Sequence, residues 1–119
     1  MTTLRVGIAS YQQMKERTLA IARGELKPRP HDPKVWFTST ESMARILSAK
    51  NRELLETIRR NSPQSLTELA EQTGRRKPNL SRTLKTMERY GLVKMSRHHR
   101  RLVPKVNYRR VDVVMELGA

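Results

Sequence analysis

The 119-residue chain is 36% hydrophobic and holds no cysteine. That fits one modest core with some apolar surface left for a subunit contact, and it excludes disulfides, thiolate nucleophiles and Cys-based zinc sites. The formal net charge is +14, and thirteen of the 25 Lys and Arg residues lie between Arg75 and Arg110 beside a single acid, Glu88; a basic third on a nearly neutral remainder points to a polyanion met by one face. No apolar run approaches the roughly 20 residues that cross a bilayer. The stretch after Met1 lacks the basic-then-apolar order of a signal peptide, so the expected compartment is the cytoplasm, in association with the nucleoid.

Leu4, Val6 and Ile8 alternate with Arg5 and Gly7, the period of a short strand with one apolar face. Ser10 is suited to cap a helix that runs to about Arg23, with Gly24 where a C-terminal cap is wanted. On that helix Tyr11, Met14, Thr18, Ile21 and Ala22 fall at spacings of three and four, a side that serves either core packing or a dimer contact. The segment GELKPRPHDPK, Gly24 to Lys34, has three prolines and no periodicity, so it reads as a loop. His31 and Asp32 lie in it without partners at metal-site spacing.

Trp36 and Phe37 read as a hydrophobic plug ahead of a short helix capped by Ser39 or Thr40, with Met43, Ile46 and Leu47 inward. A longer helix over Ala49 to Arg60, capped by Ser48, turns Leu54, Leu55 and Ile58 to the core. Asn61, Ser62 and Pro63 stop it.

The most specific pattern is SLTELAEQTGRRKPNLSRTLKTMERYGLV, Ser65 to Val93. Thr67 can cap a short helix with Leu69 and Ala70 inward, Gly74 supplies a positive-φ turn, and Pro78 suits the first position of the next helix. Leu80, Leu84 and Met87 form that helix's buried stripe, which leaves Asn79, Ser81, Arg82, Lys85, Thr86 and Arg89 on its outer surfaces. Two short helices, a glycine turn and an outer face dense in donors and cations are what insertion into a major groove requires. Arg82 can donate two hydrogen bonds to guanine, and Asn79 can pair with adenine. Arg75, Arg76 and Lys77 are placed for backbone phosphates. For any one of these residues a solvated charge is the competing interpretation.

Gly91 ends the helix, and Leu92, Val93 and Met95 open a strand. The run Arg97, His98, His99, Arg100 and Arg101 has no apolar residue and reads as a hairpin tip, from which Leu102, Val103, Val106 and Tyr108 lead back. Such a hairpin behind a helix-turn-helix is a wing, here over 94–110, whose basic tip can lie along a phosphate backbone. Pro104 argues for an exposed edge in the return strand. The tail VDVVMEL alternates nearly enough for one more strand, away from the basic face.

From Trp36 onward the chain resembles winged helix-turn-helix transcriptional regulators of the MarR/ArsR-like superfamily. Within them it is similar to small prokaryotic predicted regulators that can act as antitoxins. The residues that carry this are the 65–93 pattern, the lead-in SAKNRELLETIRRNSPQSL and the closing YRRVDVVMEL. The resemblance implies a winged helix-turn-helix with a recognition helix over 78–90; with the strand and helix read before Trp36, the expected fold is mainly α with a small β component (α+β), a winged helix-turn-helix with an N-terminal strand-helix extension. It also implies a sequence-specific regulator, usually dimeric. The chain departs from the family pattern at the wing, where histidines stand in place of small turn residues.

The sequence therefore divides into residues 1–37, a strand-helix extension with a Pro-rich arm open to a dimer or partner contact, and 38–119, the DNA-binding domain. The leading expectation is a repressor that holds a palindromic duplex operator as a homodimer. The alternative is an antitoxin that sequesters a protein toxin through residues 1–37 and represses its own operon. Single-stranded RNA would need more aromatic side chains near the basic stretch than Tyr90 and Tyr108. With no thiol, no Gly-rich phosphate loop, no HExxH and no paired carboxylates beside a histidine, neither an enzyme nor a cofactor or metal is expected.

Overall fold

The computed structural model of the chain describes residues 2–117, so Met1 and residues 118–119 at the ends of the two segments lie outside it. In chain order the elements are β1 (Thr3–Ile8), α1 (Tyr11–Ala22), β2 (Val35–Phe37), α2 (Thr40–Ile46), α3 (Ala49–Asn61), α4 (Leu66–Thr73), α5 (Lys77–Tyr90), β3 (Lys94–His98), β4 (Arg101–Lys105) and β5 (Arg110–Met115). The fold is α+β, a winged helix-turn-helix: α3, α4 and α5 build the helical core, and β3 and β4 pair antiparallel behind it.

The strand-helix extension is part of this body. β1 is the middle strand of a three-stranded parallel sheet in the order β2-β1-β5. Val6 is level with Val35 on one side and with Val113 on the other. Parallel neighbours cannot be joined by a tight turn and need a crossover; α1 and the loop after it supply that crossover between β1 and β2. The residues read as a plug thus include a strand, and its alternation sends the two rings to opposite faces. Phe37 is fully buried and stacks on Tyr90 with ring centroids 5.0 Å apart. Trp36 lies on the α1 side, with the Arg17 guanidinium 5.6 Å from its ring centre. Gly7 makes that packing possible, because a Cβ there would stand 2.4 Å from the Trp36 ring.

Helix α1 begins where Ser10 predicts. Ser10 Oγ accepts from the Gln13 amide at 3.1 Å, and Gln13 Oε1 accepts from the Ser10 amide at 2.8 Å, the reciprocal pair of a capping box. The side expected to pack is displaced, however. No residue of α1 is buried, Tyr11 is 78% exposed, and the half-covered positions are Met14, Arg17, Ala20 and Ile21. Tyr11, Thr18 and Ala22 face outward because the helix lies on the polar side of the sheet, where Trp36 and Arg5 stand, rather than on the core.

The core lies on the other side of that sheet. Val6, Val35 and Phe37 meet Leu54, Ile58, Leu69, Leu80, Leu84, Met87 and Leu92, all nearly or fully buried. Each short helix starts on a serine in extended conformation. Ser39, Ser48 and Ser65 accept from the amides of Ser42, Asn51 and Glu68, which satisfies one orphan donor per helix. The cap of α4 is therefore Ser65 rather than Thr67. Starting there lets Leu66 join Leu69 in the buried face.

Pro104 carries no ladder donor and lies on a strand whose other edge has no strand partner among the described residues, yet its ring is fully buried. The expected solvent-exposed edge is instead close to Ile58 and Pro63, at the junction of α3 and α4.

Candidate nucleic-acid interface

A tripeptide, Gly74 to Arg76, separates the two helices of the helix-turn-helix. Gly74 sits at φ 72°, a left-handed geometry that glycine adopts without a Cβ penalty. The next helix starts at Lys77, with Arg76 in the cap position and Pro78 in its second place rather than its first. Pro78 still costs no hydrogen bond there, since the first-turn amides have no intrahelical partner.

With Leu80, Leu84 and Met87 at most 1% exposed, the winding of about 100° per residue fixes what faces outward. Arg82, Lys85 and Arg89 project opposite the buried stripe, and all three are exposed. Asn79 and Thr86 lie on one flank. Ser81 and Glu88 lie on the other, where they border a cleft toward Met95, Ser96 and Arg97 of the wing. Arg82 Nη2 donates to Asn79 Oδ1 at 2.6 Å, and Arg89 Nη2 donates to Thr86 Oγ1 at 3.4 Å. The two residues proposed as base readers are therefore one hydrogen-bonded unit. It presents the Asn79 amide group and the remaining guanidinium donors to the outside, a complement to the acceptor-rich edge of a purine.

Arg76 and Lys77 are exposed at the start of α5, whereas Arg75 is not a free cation. Its Nη2 donates to the Lys50 carbonyl at 2.7 Å and its Nη1 to Asn51 Oδ1 at 3.3 Å. Asn51 Nδ2 in turn donates to the Ile46 carbonyl at 3.0 Å. The arginine braces the turn against the start of α3, so it sets the position of α5. Asn51 is part of that brace and was not legible in the sequence, because nothing in a spacing of 24 residues signals the contact.

The hairpin tip is tighter than the five-residue run suggested. His98 pairs with Arg101, and the loop between them is only His99 and Arg100. Both have positive φ, 51° and 68°, as two-residue hairpin loops require at both centres to match strand twist. Neither residue is glycine, so the turn holds two Cβ atoms in a sterically costly region. All of Arg97, His98, His99, Arg100 and Arg101 are exposed. Arg97, Arg100 and Arg101 meet Lys77 around an open groove of about 750 Å³ that runs past Ser65, Thr67, Glu68 and Glu71 at the start of α4. The fold thus joins the wing cations to one end of α5, with the two glutamates as the opposing charges.

Two aromatic rings near the basic stretch are occupied by the fold. Tyr90 is stacked on Phe37. Tyr108 donates its hydroxyl to the Leu92 carbonyl at 2.7 Å, and burial pushes its phenol up to about 12. Away from this face, the Asp32 carboxylate accepts from the Arg29 amide at 2.7 Å and from Arg17 Nη2 at 3.0 Å. Chiefly the backbone bond lowers its pKa below the usual carboxylate value. Among the described residues no group of three or more His, Asp or Glu side chains is gathered as a metal site, and no helix is long and apolar enough to cross a membrane.

Residues 46–113, more than half of the chain, match the model of the HVO_A0114 family. Among solved structures the chain is similar to one from E. coli described as a predicted DNA-binding transcriptional regulator. The two share 17% identity with a TM-score of 0.48, over 83% of this chain and 85% of that one. No curated protein matches.

Proposed function

We propose that this chain, which belongs to the HVO_A0114 family, is a transcriptional regulator that reads duplex DNA by sequence. The observation that carries the reading is the outer face of α5, where Arg82, Lys85 and Arg89 project from a helix anchored by three buried residues and the Arg82–Asn79 pair stands ready to meet base edges. A B-form major groove, about 12 Å wide, admits one such helix. In this mechanism Asn79 and Arg82 discriminate bases while Lys85, Arg89, Arg76 and Lys77 hold phosphates. Ser81, on the wing flank, contacts the backbone there. Arg97, His98, His99, Arg100 and Arg101 extend the contact along the neighbouring backbone, and Arg75 acts through the position of α5. The occupied rings of Tyr90 and Tyr108 leave no stacking platform beside the cations, which favours duplex over single strands.

The regulator acts as a homodimeric repressor that covers a palindromic operator, with recognition helices about one helical turn, ~34 Å, apart. Residues 38–119 supply the DNA contacts. Selection of bound sequences from a random duplex pool tests the whole reading, since it reports specificity and half-site symmetry together. Operator and scrambled duplex should differ by on the order of 10³ or more in affinity at fixed salt. A ratio near one refutes the reading. If at least three of these cations in each subunit neutralise phosphates, about six per dimer, affinity should fall at least roughly 10³-fold between 50 and 200 mM salt.

A second reading is favoured by the N-terminal segment 1–37, whose helix α1 has no fully buried residue and exposes Tyr11 and Leu19. There the protein is an antitoxin that docks a toxin on this segment and represses its own operon. Recovery of a stoichiometric small partner by the wild type, lost in a Tyr11→Glu/Leu19→Glu variant that still binds operator, supports it.

A further inference from the structure

β5 is an edge strand, paired with β1 and, among the described residues, with no strand on its other side. Edge strands with free backbone donors and acceptors are blunted or covered in most folds. This one is neither: Val113 and Met115 are 46% and 49% exposed, and Leu117 just beyond it is 98% exposed. Val111, Val113 and Met115 register with Leu4, Val6 and Ile8, so they share the core-facing side of the sheet. Beside them opens a groove of about 600 Å³ lined by Met43, Leu47, Leu55, Val106, Val111 and Val113 together with the charged Arg52, Glu56, Arg59 and Arg109.

We infer that β5 is the subunit interface, pairing antiparallel with β5 of a second copy across a two-fold axis at Val113 to make one six-stranded sheet. This rests on the homodimer reading and gives it a geometry. Charge and strand overlap together select the register, since centring on Val111 would also set Arg110, which holds Asp112 of its own chain at 2.7 Å, opposite an Asp112 but would place Met115 opposite Asn107, outside β5. Centred on Val113, the pairing sets Arg110 opposite Glu116 of the second copy, and the reverse, with Val111 opposite Met115 and Asp112 opposite Val114. Centred on Asp112 it would bring two copies of that carboxylate face to face, and centred on Val114 it would set Asp112 against Glu116. Like charges directly opposite destabilise a strand pair. A shift to any register of odd offset would turn one copy's apolar side to the other's polar side.

The same register fills the groove. Met115 of the second copy comes to lie beside Val111, and two residues further along that strand's alternation Leu117 reaches the mouth of the groove near Tyr108 and Arg109. The most exposed aliphatic side chains of one subunit thereby meet the cleft of the other. α5 and the β3–β4 hairpin take no part, so subunit contact and DNA contact are separate surfaces.

The chain's lack of cysteine makes the test direct. Residues opposite each other in an antiparallel pair have Cβ atoms about 4.5–5.5 Å apart, close to disulfide reach. Val113→Cys should therefore form a reducible covalent dimer in most molecules under mild oxidation, whereas Tyr11→Cys should not. By sedimentation the wild type should be a dimer, Glu116→Arg should dissociate at least tenfold more readily, and R110E/E116R should regain most of the affinity of association. If the wild type is dimeric but Val113→Cys does not cross-link and Glu116→Arg leaves the dimer unchanged, this interface is wrong while the homodimer reading stands. A wild type that is monomeric both free and on its selected duplex overturns both.

Discussion

Replacing Arg100 by glycine separates the two burdens that the wing turn carries. The φ of 68° at Arg100 places a Cβ in the left-handed region, at a cost of about 1–2 kcal/mol for an L-residue. Glycine removes that cost but gains freedom in the unfolded chain, which returns about 0.5–1 kcal/mol to the unfolded side. The variant should therefore be more stable by about 0.5–1 kcal/mol. For a domain of this size that is roughly 2–4 °C in Tm, measured by circular dichroism. The same change removes one exposed cation from the groove it shares with Lys77, Arg97 and Arg101. If Arg100 meets a phosphate, the slope of log affinity against log salt should fall by about 0.9 per subunit, read by anisotropy between 50 and 200 mM salt on operator and scrambled duplex alike. Arg100→Lys, which keeps both charge and Cβ, should move neither quantity much. The reasoning fails if the glycine variant is less stable than the wild type, or if its salt slope is unchanged. The first result would deny the strained turn, and the second would deny wing contact with the backbone.

Three further outcomes follow from particular side chains. Arg82→Ala should cost about 1–3 kcal/mol on the selected site and flatten the preference at one base position; because Arg82 holds Asn79 Oδ1 at 2.6 Å, Asn79→Ala combined with it should cost less than the sum of the two, by a double-mutant cycle in anisotropy. Gly7→Ala puts a methyl 2.4 Å from the Trp36 ring and should destabilise by about 1–3 kcal/mol in urea unfolding with DNA contacts intact, so a neutral result would contradict the packing of β1 on β2. In an alkaline absorbance titration, Tyr108 should lose its proton about two units later than an ordinary tyrosine, since its phenol is pushed up from 10.0 to about 12. Between those values the unfolded chain releases the proton and the folded chain keeps it, so the associated stability is full below pH 10 and is lost as pH rises through the folded value. Loss of all three tyrosine protons in a single step near pH 10 would refute the buried setting.

Local signals are legible where one residue type answers one local need. Ser10 and Ser48 start their helices, Gly74 and Gly91 end theirs in left-handed geometry, and the stripe of Leu80, Leu84 and Met87 is buried. The outward set on α5 follows from that stripe by helical geometry alone. What failed to show were pairings over long separations. That Val6 lies between Val35 and Val113 leaves no trace in a strand's own alternation, which says only that one side is apolar. The orientation of α1 failed for a related reason. A weakly amphipathic helix packs wherever the sheet offers a surface, and this sheet turned Arg5 and Trp36 toward it, the latter against Arg17 of the helix.

The sequence by itself determined the starts of α1 and α3, the ends of α4 and α5, the buried stripe of the recognition helix and the concentration of charge on one third of the chain, because capping, periodicity and charge are properties of neighbours along the backbone. Only the tertiary structure decided that the two ends of the chain share a sheet, that Arg75 is spent on Lys50 and Asn51 while Arg82 is tied to Asn79, and that β5 is left as an open edge. Those outcomes depend on which surfaces meet across the core, and a hydrogen-bond donor has no record in the sequence of the distant acceptor it will find.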